Sequence, residues 1–144
     1  MERQYYSNWK LYRQFHILIS KNPEYEELIC FFNGNKNVVY VGFGNIDYDS
    51  IGSIYLKVTG NLIRNNLRII LPKNTKKIFD SNKNMKDIFF VNFMPFDFYF
   101  SKLSFAIHHG DYGTVYTCLK HAISQLVLSF GADQNFWGEV KLNT

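Results

Sequence analysis

Cysteine is scarce in this 144-residue chain, with Cys30 and Cys118 its two examples. They have neither the close spacing of a zinc site nor the density of a small disulfide framework, so free thiols in a reducing compartment are expected. Long apolar runs are missing as well. No stretch reaches the roughly 18 residues a membrane helix needs, and the run Ile88–Phe93 is strand-length, with Pro95 ending it. The N-terminus, Met1-Glu2-Arg3-Gln4, is polar and lacks an apolar signal core, which reads as a cytoplasmic protein. A concentrated basic face is also absent. The formal net charge is +4, but only Lys73–Lys77 forms a short cluster. Without such a face or a reader motif, nucleic-acid binding is not expected. A basic groove for a phosphorylated small molecule is compatible with the same charge.

What remains is globular in character. Hydrophobic residues make up 47% and charged residues 19%, enough for one domain with one sizeable core. The aromatic share of 18% is high. Two readings stay open: rings at an interface, or the codon usage of an AT-rich genome.

Residues 1–22 have weak periodicity and read as a linker or arm, leaving 23–144 as the domain. Pro23–Phe32 reads as a short helix with proline and acidic residues in its first turn. Asn37–Phe43 is a buried strand, and Ser50–Asn65 carries Ile51, Ile54, Tyr55, Val58 and Leu62 along one helical face. Strands are expected at Leu67–Leu71, Ile88–Phe93, Ser104–Ile107 and Gln125–Leu128. A helix is expected at Gly113–His121 and another from Asp133, while Asn74–Lys86 reads as a loop. Asp97 is placed as the cap of a helical turn over Phe98–Lys102. Strands alternating with helices predict an α/β fold, a Rossmann-like, mostly parallel sheet with flanking helices.

In such sheets ligands bind beyond the carboxyl ends of the strands, and three strand-end loops carry candidate chemistry. Val41-Gly42-Phe43-Gly44-Asn45 would let backbone approach a ligand closely, or is a tight turn. His108-His109-Gly110-Asp111-Tyr112-Gly113-Thr114 follows a strand and opens a helix. Amides at a helix N-terminus, a threonine hydroxyl and an imidazole suit a phosphate; a glycine turn beside a buried histidine is the alternative. Adjacent histidines on a strand point to opposite faces, so no zinc pair is expected. Asp133-Gln134, at a third turn, could grip vicinal hydroxyls of a sugar or could simply cap a helix.

Taken together, these loops resemble the C-terminal, donor-binding domain of UDP-glycosyltransferases of the two-Rossmann-domain (GT-B) type, in the sterol and macrolide glucosyltransferase-like subgroup. The similarity rests on Pro95–Phe100, His108–Thr114, Ala122–Leu128 and Phe130–Trp137, with 24 residues separating His109 from Asp133, and on Val39–Gly44. It runs from about Pro23 to the C-terminus. It implies that His109, Gly110, Gly113, Thr114, Gly44 and Asn45 border the donor diphosphate. By the same resemblance Asp133 and Gln134 hold the donor sugar, and Phe93, Met94 and Phe96 lie along the nucleobase. A UDP-sugar would be the donor substrate, with no further cofactor, no metal and inversion at the transferred sugar. The chain departs from the pattern at Asp111 and Phe96, where the family has glycine and histidine, at Asn45 for serine, and at Thr117 for a ribose-binding glutamate. Each lost contact would weaken donor binding by about 1 kcal/mol or more.

The resemblance covers only the second half of such an enzyme and stops in the helix after Gln134. The acceptor-binding half, with the histidine that deprotonates the acceptor, has no counterpart, and neither His16 nor His121 is assigned as a base. No catalytic residue is therefore assigned. The expected role is a donor-binding domain that needs an acceptor domain or chain supplied elsewhere, with peripheral membrane association through that partner or a lipid acceptor. A vestigial fragment and a non-catalytic nucleotide-sugar-binding module are the alternatives.

Overall fold

The computed structural model of the chain describes residues 21–34, 37–44, 48–79, 85–92 and 95–129. Residues 1–20 of the expected arm, together with Asn45, Phe93, Met94, Asp133, Gln134 and the helix expected from Asp133, lie outside the described residues. The chain divides into two compact units, Met1–Gly34 and Asn35–Thr144. In the first, helix α1 spans Pro23–Phe32, as proline at its start and Glu24 and Glu26 in its first turn predict. Its N-cap, which the sequence reading did not identify, is Asn22. That side chain accepts a hydrogen bond from the Glu24 amide at 3.0 Å.

The second unit is an α/β layer structure. Among the described residues it runs β1 (Val38–Gly42), α2 (Tyr48–Arg64), β2 (Arg68–Pro72), a 3₁₀ turn (Lys73–Ile78), β3 (Ile88–Val91), two short 3₁₀ turns (Phe96–Phe98 and Phe100–Lys102), β4 (Phe105–His108), α3 (Tyr112–Lys120) and β5 (Ser124–Val127). All strand pairs are parallel, and the spatial order is β3-β2-β1-β4-β5. This is the order of a doubly wound dinucleotide-type fold. The expected α/β architecture is thus observed, with α2 starting two residues earlier than periodicity indicated and a 3₁₀ turn inside the polar stretch after β2.

The central strand β1 is buried on both faces, as a parallel sheet requires. On one face Val39, Val41, Phe43, Ile69, Leu71 and Ile107 form a core with Ile51 and Tyr55 of α2, while Ile54, Val58 and Leu62 pack around it. These are the residues the three-and-four spacing selects. Each fully buried Ile, Leu or Val contributes about 1.5–3 kcal/mol. Alternate strand positions supply the other face. There Tyr40 packs edge-on to Phe96, with ring centroids 5.4 Å apart, and lies 5.2 Å from Phe100.

Two helices of this unit end in the same way. After α2, Asn66 takes φ 61°; its amide donates to the Ile63 carbonyl at 2.9 Å, and the Leu67 amide donates to the Leu62 carbonyl at 3.1 Å. After α3, Ala122 takes φ 53°, with the Ala122 amide on Leu119 (3.1 Å) and the Ile123 amide on Cys118 (2.8 Å). Both are Schellman closures, and each leads directly toward a strand.

Asp97 corrects one expectation. It sits inside the Phe96–Phe98 turn and caps nothing. Its carboxylate instead takes both oxygens to Lys120 Nζ, at 2.8 and 3.0 Å, and one to His121 Nε2 at 2.8 Å. The end of α3 thus offers it the Lys120 ammonium, a stronger partner than a backbone amide, with the His121 imidazole beside it. These hydrogen bonds, from Lys120 first and His121 second, hold the Asp97 carboxyl below its ordinary 3.8. They also tie the β3–β4 connection to the end of α3.

Candidate functional site

The strand order reverses between β1 and β4, and the crevice beyond their carboxyl ends is where this topology places ligands. Gly42 is in register with His108 across the two strands, so the loops that follow emerge side by side. Residues 42–44 and 108–114, far apart in sequence, therefore build one site.

The β1 side is fixed from below. The Phe43 amide donates to the buried Tyr55 hydroxyl of α2 at 3.0 Å, and the two rings lie 4.7 Å apart. The chain then turns through Gly44 at φ +66°, a left-handed conformation that glycine adopts without penalty. A Cβ at Gly44 would stand 2.8 Å from Cε1 and Nε2 of His109. The imidazole therefore lies directly on the glycine, and the two loops are in contact through it.

The β4 side turns on the pair of histidines, which diverge as alternation on a strand demands. His108 is fully buried. The Gly110 amide donates to its Nδ1 at 3.1 Å, so Nε2 carries the proton and donates it to Gln125 Oε1 of β5 at 2.7 Å. His108 is thus the satisfied core histidine, and it shapes the turn at Gly110, where φ reaches 92°. His109 is the histidine that faces Gly44. Its side chain is 13% exposed, and its Nδ1 is buried without a hydrogen-bond partner.

Asp111 caps α3. Its Oδ2 accepts from the Thr114 amide at 3.0 Å. Oδ1 lies 3.3 Å from His109 Nε2, out of line for a hydrogen bond, and it too is buried without a hydrogen-bond partner. Thr114 is buried, and its amide, one of the groups expected at the diphosphate, is taken by this carboxylate. Gly113 is exposed in the first turn beside it. Tyr112 points outward at 61% exposure and stacks on Tyr116 with centroids 6.0 Å apart. Thr117, where the resemblance implies a ribose-binding glutamate, donates its hydroxyl back to the Gly113 carbonyl at 2.8 Å.

The structure thus brings Gly44, His109, Gly110, Gly113 and Thr114 together. Phe96 lies in a separate place. With Tyr40, Pro72, Val91, Pro95 and Tyr99 it lines a cavity of 340 Å³, which begins where β2 and β3 end. His108, Gln125 and Tyr55 are supporting residues that sequence reasoning did not assign to the site. The His108–Gln125 contact follows from β4 and β5 being neighbours, a fact no single segment carries. His121 sits at the far end of α3 from this site, bound to Asp97. Among the described residues, no group of three or more His, Cys, Asp or Glu side chains could hold a metal ion. No described helix is long and apolar enough to cross a membrane.

Comparison with known proteins agrees with the fold. No family model matches the chain. The chain is 28% identical over 111 residues to a sterol 3-beta-glucosyltransferase of Leptosphaeria maculans, covering 72% of this chain and 8% of the relative. It is 30% identical over 111 residues to that of Sclerotinia sclerotiorum, with the same coverage. The chain therefore spans less than a tenth of the length of these relatives. Among solved structures, the spinosyn rhamnosyltransferase SpnG matches with a TM-score of 0.61 at 17% identity, over 76% of this chain and 30% of that one. The glycosyltransferase of kitacinnamycin matches with a TM-score of 0.63 at 15% identity, over 77% and 29%. With relatives of one kind and a fold shared with glycosyltransferase structures, the chain is a GT-B glycosyltransferase domain of the sterol glucosyltransferase type.

Proposed function

We propose that the Asn35–Thr144 unit binds the UDP-sugar donor of a glycosyl transfer to a hydroxyl acceptor, with the acceptor and its base presented by another domain or chain. The observation that carries this reading is the contact of His109 with Gly44 at the strand-order reversal, beside the N-terminus of α3. A diphosphate there would meet backbone at Gly44, an imidazole at His109 and the amides of Gly113 and Thr114. The helix dipole would oppose its charge. The related fold of SpnG has been solved with thymidine diphosphate, which supports looking for a nucleoside diphosphate in this crevice. The cavity around Tyr40, Phe96 and Tyr99 offers aromatic surface for the base, with Phe93 and Met94 proposed alongside. Asp133 and Gln134 are proposed at the sugar hydroxyls, and Asn45 at the phosphate.

Glucose is the sugar to test first and a sterol the acceptor to test first, after the names of the relatives. A sterol acceptor would bring the working assembly to a membrane surface. Holding the donor without a positioned acceptor and base gives at most slow hydrolysis, so this chain by itself is proposed to be inactive in transfer. A second reading, a nucleotide-sugar-binding module without turnover or a vestigial domain, is favoured by Asp111 and Thr117 standing where phosphate and ribose contacts are expected.

Calorimetric titration of UDP into the purified chain, with ADP and a His109→Ala variant as controls, tests the proposal. Selective UDP binding that weakens in the variant is expected. A folded, monodisperse chain that ignores UDP would refute it.

A further inference from the structure

The carboxylate of Asp111 makes the two contacts that a donor phosphate would want. Oδ2 sits on the Thr114 amide at 3.0 Å, and Oδ1 sits 3.3 Å from His109 Nε2. One anion therefore spans the helix N-terminus and the imidazole. We propose that Asp111 is an internal stand-in for the donor phosphate, a specificity-determining residue that weakens nucleoside diphosphate binding in the crevice because it must swing aside for the phosphate. This rests on the donor-binding reading above.

Several features make the contact displaceable. Oδ1 has no hydrogen-bond partner, so one of the two oxygens is not tied down by a hydrogen bond. The side chain is 39% exposed, so it has solvent to move into. A Cβ at Gly113 would stand 3.3 Å from Oδ2, so the absence of a side chain there leaves a way out. A phosphate oxygen arriving at the Thr114 amide would satisfy the same donor, and the helix would exchange one cap for another. With the carboxylate in place, a diphosphate would share a few ångströms with a like charge in a partly desolvated turn, where repulsion is stronger than in water. The consequence is selective. Ligands are penalised by the charge they bring to the α3 N-terminus, and the base cavity around Phe96 is unaffected.

The test compares the wild-type chain with Asp111→Asn and Asp111→Gly, using UDP and uridine as probes. Asparagine caps a helix about as well as aspartate, so Asp111→Asn removes the charge and keeps the fold; glycine removes both oxygens. Both variants are expected to bind UDP about tenfold or more tightly than wild type, a change of about 1.4 kcal/mol, with uridine affinity the same in all three. UDP binding of equal strength in all three overturns the role of Asp111 and leaves the donor site standing. UDP ignored by all three, each folded by circular dichroism, overturns the donor site and this inference together.

Discussion

Placing a methyl group on Gly44 tests the contact on which the site is built. Gly44→Ala has two separable costs. At φ +66° an L-residue is strained by roughly 1–2 kcal/mol. The new Cβ would also stand 2.8 Å from Cε1 and Nε2 of His109, and forced overpacking typically costs about 1–3 kcal/mol. The imidazole cannot absorb the clash freely, because its side chain is only 13% exposed. The expected total is about 2–5 kcal/mol, a large part of the roughly 5–15 kcal/mol a domain has. A double-mutant cycle separates the parts. In a His109→Ala background the clash is gone, and Gly44→Ala should cost only the backbone strain of roughly 1–2 kcal/mol. Urea unfolding followed by far-UV circular dichroism measures each stability, with an unchanged m-value confirming that the folded surface is comparable. A Gly44→Ala cost that is the same in both backgrounds would refute the Gly44–His109 contact.

Four further outcomes are expected. Gln125→Leu leaves the proton on buried His108 Nε2 without its 2.7 Å acceptor and should cost about 1–3 kcal/mol in urea unfolding. Gly42→Ala places a Cβ 2.2 Å from the Tyr40 hydroxyl, in a ring packed by Phe96 and Phe100; it should cost about 1–3 kcal/mol and weaken uridine binding in calorimetry by narrowing the cavity. Ala122→Gly relieves a left-handed alanine at φ 53° and should stabilise by up to about 1 kcal/mol, seen as a higher urea midpoint. The Asp97 carboxyl is depressed by Lys120 and His121. Its stabilisation is therefore fully present above 3.8 and lost as pH falls through the lower folded value; Asp97→Asn should flatten the acid limb of the stability–pH curve below about pH 4, a small effect at this exposed pair.

The doubly wound sheet was legible because its signals are local and repeated. The run Val38–Gly42 is continuous and apolar, as a strand buried on both faces must be, and the partly buried edge strand Ile88–Val91 is apolar throughout as well. Ile51, Ile54, Tyr55, Val58 and Leu62 keep helical spacing and do line one face. The grouping of Gly44 with His109 was implied by the family resemblance, and the strand order, which brings the ends of β1 and β4 together, supplies its physical reason. The C-terminal ends of the two helices were legible to within a residue, but the way they close was not. Asn65-Asn66 and His121-Ala122 carry no glycine to announce a left-handed residue, yet both close in Schellman form.

The two aspartates show why the rest was out of reach. Local rules make Asp97 a cap, because it precedes a short helical turn, and make Asp111 a charge in the way of a phosphate. In the fold Asp111 is the cap, for Thr114 and α3, and Asp97 is the charge, held by Lys120 and His121. The short 3₁₀ turn at Phe96–Phe98 does not draw Asp97 in as its cap, while α3 runs nine residues and presents a full dipole at its start. At its other end the same helix delivers the Lys120 ammonium and the His121 imidazole to the β3–β4 connection. Where each carboxylate settles is thus decided by which end of α3 the sheet topology brings within reach, and the chemistry of the crevice depends on that choice. A site whose helix N-terminus already holds a carboxylate discriminates against anionic ligands before any other contact is made.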